Sequence, residues 1–463
     1  MDPAQIQIPQ RVDPSVDGKR LRCSAMPAGP LSKDADDTGS SPAPLDDENL
    51  LQEILLRVAP LPSALPRASL VCLRWRSILS DPQFLSRYRK HHRKPPLLGF
   101  FAGNTGTSYS FVPLPIMKPN RIPEERFSVP KSSSSYDHWY FLGCRHGLAV
   151  MVHDSGRVAV IWDPLTGRQH RVPFPPGLCN AKHEGLWLWH TAVLCADTED
   201  GHVHGDCFSS PFRLILMCGG YTQAFACLYE SISGAWGNIV STVTTDAILR
   251  LRPSILIGNA VYWLFVRGDI LAFDIETQTL GVIKKPEAAH HTNCYSFQLL
   301  RDDSYLGFAV MSKPSIQLWK RKSECDGALE WVLLQKTIHL EALFPQEMRI
   351  DHKKAEMVGY DEDSDVIILS TYIGDFMLQL KSMRFTRFSK RNCWSHKTHY
   401  PYRNFYTAAF IEYPHVIWVM VHRSCFGRTK MHRGALGSSI PQAVHFLPRT
   451  KMLVPMWMQA RTC

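Results

Sequence analysis

At 463 residues the chain is long for one compact domain, so two or more folding units are expected. A composition of 45% hydrophobic and 20% charged residues excludes a disordered or fibrous chain, and no stretch reaches the roughly 20 apolar residues that a membrane helix needs. The nearest candidate, 408–421, is broken by Glu412, Pro414 and His415. The net charge of +10 is diffuse apart from 87–94, Arg-Tyr-Arg-Lys-His-His-Arg-Lys, which is expected to be a solvated helix end rather than a nucleic-acid patch.

Residues 1–43 are rich in Pro, Asp, Ser and Gly, lack a secretory signal, and are expected to be a disordered leader. The 13 cysteines contain no Cys-x-x-Cys pair, which points to reduced thiols and a cytoplasmic or nuclear location. From 44 to 92 the periodicity predicts three helices. The first, 46–58, opens on acidic residues that suit the positive helix end and lines up Leu50, Leu51, Ile54, Leu55 and Val58 on one face. Pro60 and Pro62 stop it. The second begins at Ser63 as N-cap and carries Leu65, Ala68, Val71, Cys72, Trp75, Ile78 and Leu79. The third opens on Asp81-Pro82, an N-cap followed by proline at the first helical position. A unit this small cannot hide so many apolar side chains, so part of the stripe is expected to face another protein or the downstream domain.

From about 96 to 410 the grammar changes to short apolar strands, tight turns and strand-end aromatics. The clearest copy is Leu148-Ala-Val-Met-Val152, a turn at 154–156, Val158-Ala-Val-Ile-Trp162, then the turn Asp163-Pro-Leu-Thr-Gly167. A second runs Val261-Tyr-Trp-Leu-Phe-Val266, Arg267-Gly-Asp269, Ile270-Leu-Ala-Phe273, then Asp274-Ile-Glu-Thr-Gln278. Weaker copies end at Phe111, Tyr229, Trp319 and Leu378. Successive anchors are 51, 67, 44, 46 and 59 residues apart, against roughly 40–50 residues for a four-stranded propeller blade. The expected fold is therefore a short helical domain followed by an all-β propeller of six or seven blades, with a β-sandwich pair as the alternative. Most of the tryptophans, Trp139, Trp162, Trp187, Trp189, Trp236, Trp263, Trp319 and Trp331, are expected to stack within or between blades. Residues 411–463 show no strand rhythm and form an atypical tail.

Two regions resemble a known family. Residues 44–58, Leu61–Arg76 with its Leu70-Val-Cys-x-x-Trp75 core, and Ser80–Leu85 with Asp81-Pro-x-Phe84 look like an F-box. Asp163–Gly167, Gly258-Asn-Ala-Val-Tyr-Trp263 and Tyr402-Arg-Asn-Phe-Tyr406 resemble the F-box-associated, kelch-like propellers of plant F-box proteins. The resemblance implies a substrate-recognition subunit of a Skp–cullin–F-box ubiquitin ligase, non-catalytic, carrying a target protein for ubiquitination and proteasomal degradation. It implies that Leu45, Leu50, Leu51, Ile54, Leu55, Pro62, Leu65, Leu70, Val71, Cys72 and Trp75 bind a Skp-type adaptor, and through it a cullin. The chain departs from the family at Leu45-Asp46, where Leu-Pro is usual; this keeps open an F-box protein acting outside a ligase.

The target is not legible, and the insertions 178–208 and 320–330 are the candidate target loops. A propeller that binds sugars or small molecules is the alternative use of the fold. No nucleophile elbow, phosphate loop, dinucleotide fingerprint or His-Glu-x-x-His helix occurs, so no catalytic residue is assigned. His183, His190, His202, His204 and Cys207 cluster in the long insertion, and His202-x-His204-x-x-Cys207 places three ligand types together. That spacing matches no strong zinc pattern, and His290-His291-x-x-Cys294 is weaker. No metal or cofactor is expected, nor a membrane or nucleic-acid partner.

Overall fold

The strands lack simple polar–apolar alternation because both of their faces are covered. The computed structural model describes residues 47–406, except 104–108, 116–119, 121, 124–126, 128–138, 154–156, 179–187, 198–201, 206, 249–251, 291–295, 303, 313–314, 324–328, 345–354 and 390–397. The expected leader and tail, with Leu45, Asp46, His183, Trp187, His291 and Cys294, lie outside the described residues. The chain divides into two compact units, 1–51 and 52–463.

Six sheets follow one another around a ring, so the architecture is a six-bladed propeller and the sandwich alternative is overturned. Strands β1 (Leu97–Gly103) and β2 (Tyr109–Pro113) come first. The next blade is β3 (Trp139–Arg145), β4 (Leu148–His153), β5 (Val158–Trp162) and β6 (Gln169–Pro173). Its neighbour holds β7 (Leu188–Cys195), β8 (Phe212–Gly219) and β9 (Gln223–Glu230), with an outer strand in two pieces, β10 (Ala235–Trp236) and β11 (Val240–Val243). Then come β12 (Ile255–Ile257), β13 (Ala260–Leu264), β14 (Ile270–Asp274) and β15 (Thr279–Ile283). The following blade is β16 (Ser296–Asp302), β17 (Tyr305–Ser312), β18 (Ser315–Ser323) and β19 (Leu329–His339). The last full blade is β20 (Glu356–Asp361), β21 (Val366–Thr371), β22 (Gly374–Gln379) and β23 (Phe385–Ser389). Finally β24 (Thr398–Arg403) pairs antiparallel with β1, from Leu97↔Arg403 to Gly103↔Thr398, so the closing blade has the order β2-β1-β24. One blade is thus built from both ends of the domain, which closes the ring and leaves no open end to the array.

The cores lie between blades. On β4, Leu148, Val150 and Val152 face the β7–β11 blade, while Ala149 and Met151 face the closing blade. On β8, Leu214, Leu216 and Cys218 point one way and Ile215 and Met217 the other. The two-residue period of a strand therefore feeds two cores at once, which makes the sequence an unbroken apolar run. All six strand-end anchors, Phe111, Trp162, Tyr229, Phe273, Trp319 and Leu378, fall on the third strand of their blades. Trp319 does not end its strand, however: β18 continues through the Lys320-Arg-Lys run to Ser323, which pairs with Leu329 of β19, and 324–328, the middle of the expected 320–330 insertion, lie outside the described residues. Two indoles tie blades together, Trp236 Nε1 donating to Pro173 O at 2.9 Å and Trp331 Nε1 to Lys284 O at 2.8 Å.

The turn after the third strand repeats in detail. Asp163 accepts from Leu165 N (3.0 Å) and Thr166 Oγ1 (2.5 Å), and Asp274 from Glu276 N (3.1 Å) and Thr277 N (2.8 Å). The two aspartates are turn formers, as their matching positions indicated. The fifth residue of each turn is left-handed: Gly167 (φ 77°), Gly234 (φ 64°), Gln278 (φ 50°) and Met383 (φ 55°). Open space surrounds a Cβ at Gly167, so Gly167→Ala should cost only the left-handed strain, about 1–2 kcal/mol in urea unfolding.

The helical region holds four helices among the described residues, not three: α1 (Glu48–Leu56), α2 (Ala64–Ala68), α3 (Leu73–Ser80) and α4 (Pro82–His92). The expected second helix breaks at 69–72. Ser69 Oγ donates back to Pro66 O at 2.7 Å and Cys72 is extended (φ −161°), so the chain turns before restarting. Ser63 makes no side-chain cap; its hydroxyl donates to Asn120 Oδ1 at 2.5 Å instead. Asp81 does cap α4, accepting from Gln83 N (3.3 Å) and Phe84 N (3.0 Å) ahead of Pro82. The basic run ends α4, with Arg89, Lys90, His91 and His92 in the last turn, where cations suit the negative helix end.

Candidate functional site

Helix α4 supplies the internal side of the helical module. Phe84, Leu85 and Tyr88 are buried. The Tyr88 hydroxyl donates to Val58 O at 2.9 Å, and burial raises its pKa well above the ordinary phenol range, so it stays a donor. His92 Nε2 lies 3.0 Å from Leu56 O, and the Tyr88 ring meets the edge of Phe405 at 6.1 Å, just past β24. Asp47 caps α1 by accepting from Asn49 N at 2.8 Å and Leu50 N at 3.3 Å.

The residues expected to bind an adaptor differ in exposure. Leu51, Leu55, Pro62 and Leu65 are buried. Leu50 and Ile54 are exposed on α1. Leu70, Val71 and Cys72 are exposed in the α2–α3 connection, with Trp75 half-buried. Periodicity alone does not say which half of a wide apolar stripe meets its own core. The structure adds Leu61 and, above all, Leu73, 83% exposed at the start of α3, which the sequence reading passed over.

The inner ends of the blades are bound by charge. Arg145, at the end of β3, places Nε 2.8 Å from Glu362 Oε1 and donates through Nη2 to Ser254 O at 2.8 Å. Arg403, at the end of β24, pairs with buried Asp361 and donates to Pro95 O at 3.0 Å. Four blades are thereby cross-linked near the axis.

The return from β7 to β8 carries a second cluster. His190 is not in this loop: it lies on β7 and is buried, a correction to its placement in an insertion. His202, His204 and Cys207 do lie in the return, and they meet Cys195 at the end of β7, with all four ligand atoms within 4.8 Å of one another. Nothing in the spacing singled out Cys195, whose strand reads as core. Immediately after Cys207, Phe208–Phe212 form one wall of an open groove of about 520 Å³, whose other wall includes Arg168, His170, Arg171 and Tyr229. Within it Arg168 lies over the Phe208 ring at 4.5 Å, and His170 stacks on the same ring at 4.2 Å.

Comparison with known proteins places the chain. Residues 140–393, more than half of it, match the family model described as "F-box protein AT5G49610-like, beta-propeller". Two Arabidopsis thaliana proteins are similar. F-box protein At2g34280 is 22% identical over 31% of this chain and 38% of its own length. F-box protein At5g07610 is 23% identical over 53% of this chain and 57% of its own length. The chain thus spans less than two thirds of either relative. Among solved structures, the WD40 domain of SCAP from fission yeast aligns at 11% identity and TM-score 0.30, over 63% of this chain and 59% of that one. With six blades, a helical module ahead of them and this match, the chain belongs to the family of F-box proteins that carry an AT5G49610-like β-propeller.

Proposed function

We propose that this chain is the substrate-recognition subunit of a Skp–cullin–F-box ubiquitin ligase. The observation that carries the reading is the run Leu70-Val71-Cys72-Leu73, exposed between α2 and α3 in a chain whose family is that of F-box proteins. Ile54 is exposed on α1 as well, with Leu50 one turn earlier on that helix. Apolar side chains left uncovered in so small a helical unit fit a surface that a partner shelters. The partner proposed is a Skp-type adaptor, joined through it to a cullin. The chain's own contribution is positioning: it raises the effective concentration of a bound target near the conjugating enzyme and needs no catalytic residue. Target contacts are assigned to the propeller loops, and the work is proposed to take place in the cytoplasm or nucleus, in keeping with the absence of a disulfide among the six described cysteines.

The test is co-purification with the adaptor. Val71→Asp and Leu73→Asp place a carboxylate on the proposed contact, where burial without a partner costs about 3–5 kcal/mol, a loss of roughly 100-fold or more in affinity. Both residues are exposed in the free chain, so the melting temperature should hold. Undiminished co-purification of the double variant would sink the interface.

A further inference from the structure

We propose that Cys195, His202, His204 and Cys207 form a structural Cys2His2 site for a zinc-class divalent cation, which fastens the β7–β8 return to the second full blade. The distances are those of a coordination shell. His202 Nε2 lies 3.3 Å from Cys195 Sγ and 3.6 Å from Cys207 Sγ, and His204 Nδ1 lies 3.5 Å from Cys207 Sγ. Tetrahedral zinc, with Zn–S about 2.3 Å and Zn–N about 2.1 Å, sets each N–S edge at about 3.6 Å. Two imidazoles and two thiols converging on one point suit zinc over calcium or magnesium, and four protein ligands with no open position mark a structural rather than a catalytic site.

The surroundings orient the ligands. Asp197 Oδ2 lies 3.0 Å from His202 Nδ1 and also accepts from Ser210 Oγ at 2.8 Å. A proton held on Nδ1 in that bond leaves the Nε2 lone pair directed at the two sulfurs, the carboxylate–histidine arrangement that supports metal ligands. His146 is the first residue of the two-residue β3–β4 turn, where it and Gly147 are both left-handed (φ 54° and 80°). Its ring stacks on His204 at 3.6 Å and 9°, and its Nδ1 accepts from Cys195 N at 3.1 Å. The blade next door therefore fixes one ligand ring and one ligand backbone. Cys207 is buried and the other three ligands are half-buried, which limits competition from water.

The cation would close the 196–211 return into a fixed loop. Gly205 (φ 133°) lets that loop lie against Phe405, where a Cβ would come within 2.6 Å of the ring. Phe208–Phe212 then leave the site as the wall of the groove facing Arg168 and Arg171. Metal binding thus decides whether that wall is built, independently of the adaptor surface.

The test uses the full chain purified under reducing conditions without chelator. Elemental analysis should find about one equivalent of zinc. Chelated protein refilled with cobalt(II) should show thiolate-to-cobalt charge transfer and the d–d bands of a tetrahedral site, a readout that requires no variant. Cys195→Ser/Cys207→Ser should hold less than a tenth of the wild-type metal, while Cys218→Ser, at a buried cysteine outside the cluster, keeps it. Chelation should also lower the melting temperature and open 196–211 to protease. The proposal is overturned by wild-type protein that takes up neither zinc nor cobalt, by a double variant that retains metal, or by a Cys195–Cys207 disulfide in protein isolated under reducing conditions.

Discussion

Replacing Phe101 by alanine should lower the unfolding free energy by about 3–5 kcal/mol, the range for removing a large buried aromatic side chain. The ring is fully buried on β1 and lies 5.0 Å from Phe141, 5.3 Å from Tyr402, 5.4 Å from Phe111 and 5.7 Å from Trp162, centroid to centroid. These partners come from three segments: the first strands, the first full blade, and the last strand. The contact set is the seam where the ring closes, so its loss should weaken closure more than any single blade. Differential scanning calorimetry and limited proteolysis read the two effects. A drop in stability without faster cleavage between β24 and β3 would assign Phe101 to ordinary core packing and not to closure.

Arg403→Met should cost about 3–5 kcal/mol, because it strands the buried Asp361 carboxylate without its partner. The guanidinium is held in its charged form: burial opposes it, but the Asp361 and Asp363 carboxylates more than offset that and raise its pKa above the ordinary value. Asp361→Asn in the Arg403→Met background should recover part of the loss, since a neutral amide needs no counter-charge. A double-mutant cycle in urea measures the coupling. Were Arg403→Met to cost under about 1 kcal/mol, the pair would behave as an exposed surface bridge, and the axial network would have no structural weight.

Much of the propeller was legible from one strand per blade. Phe111, Trp162, Tyr229, Phe273, Trp319 and Leu378 all sit on third strands, and after Trp162, Tyr229, Phe273 and Leu378 that strand leads into a stereotyped turn. Asp163 and Asp274 were recognisable as turn residues for the same local reason: an aspartate can bond the backbone two or three residues on wherever that turn recurs. The closing blade was not legible as such. Its copy near Phe111 looked degenerate because its inner strand, β24, arrives from the far end of the domain. Lys320-Arg-Lys looked like a turn because composition cannot tell a charged hairpin end from a loop.

Residue chemistry and local spacing alone determined the helical module ahead of a blade array, the Asp81 cap, the turn aspartates and the F-box resemblance. All of these depend on interactions within a few residues. Tertiary structure alone decided that there are six blades, that Leu51 and Leu55 turn inward while Val71 and Leu73 turn outward, and that Cys195 meets His202, His204 and Cys207. Each of those outcomes is set by where separate strands and loops arrive in space, and a periodic pattern carries no record of that arrival.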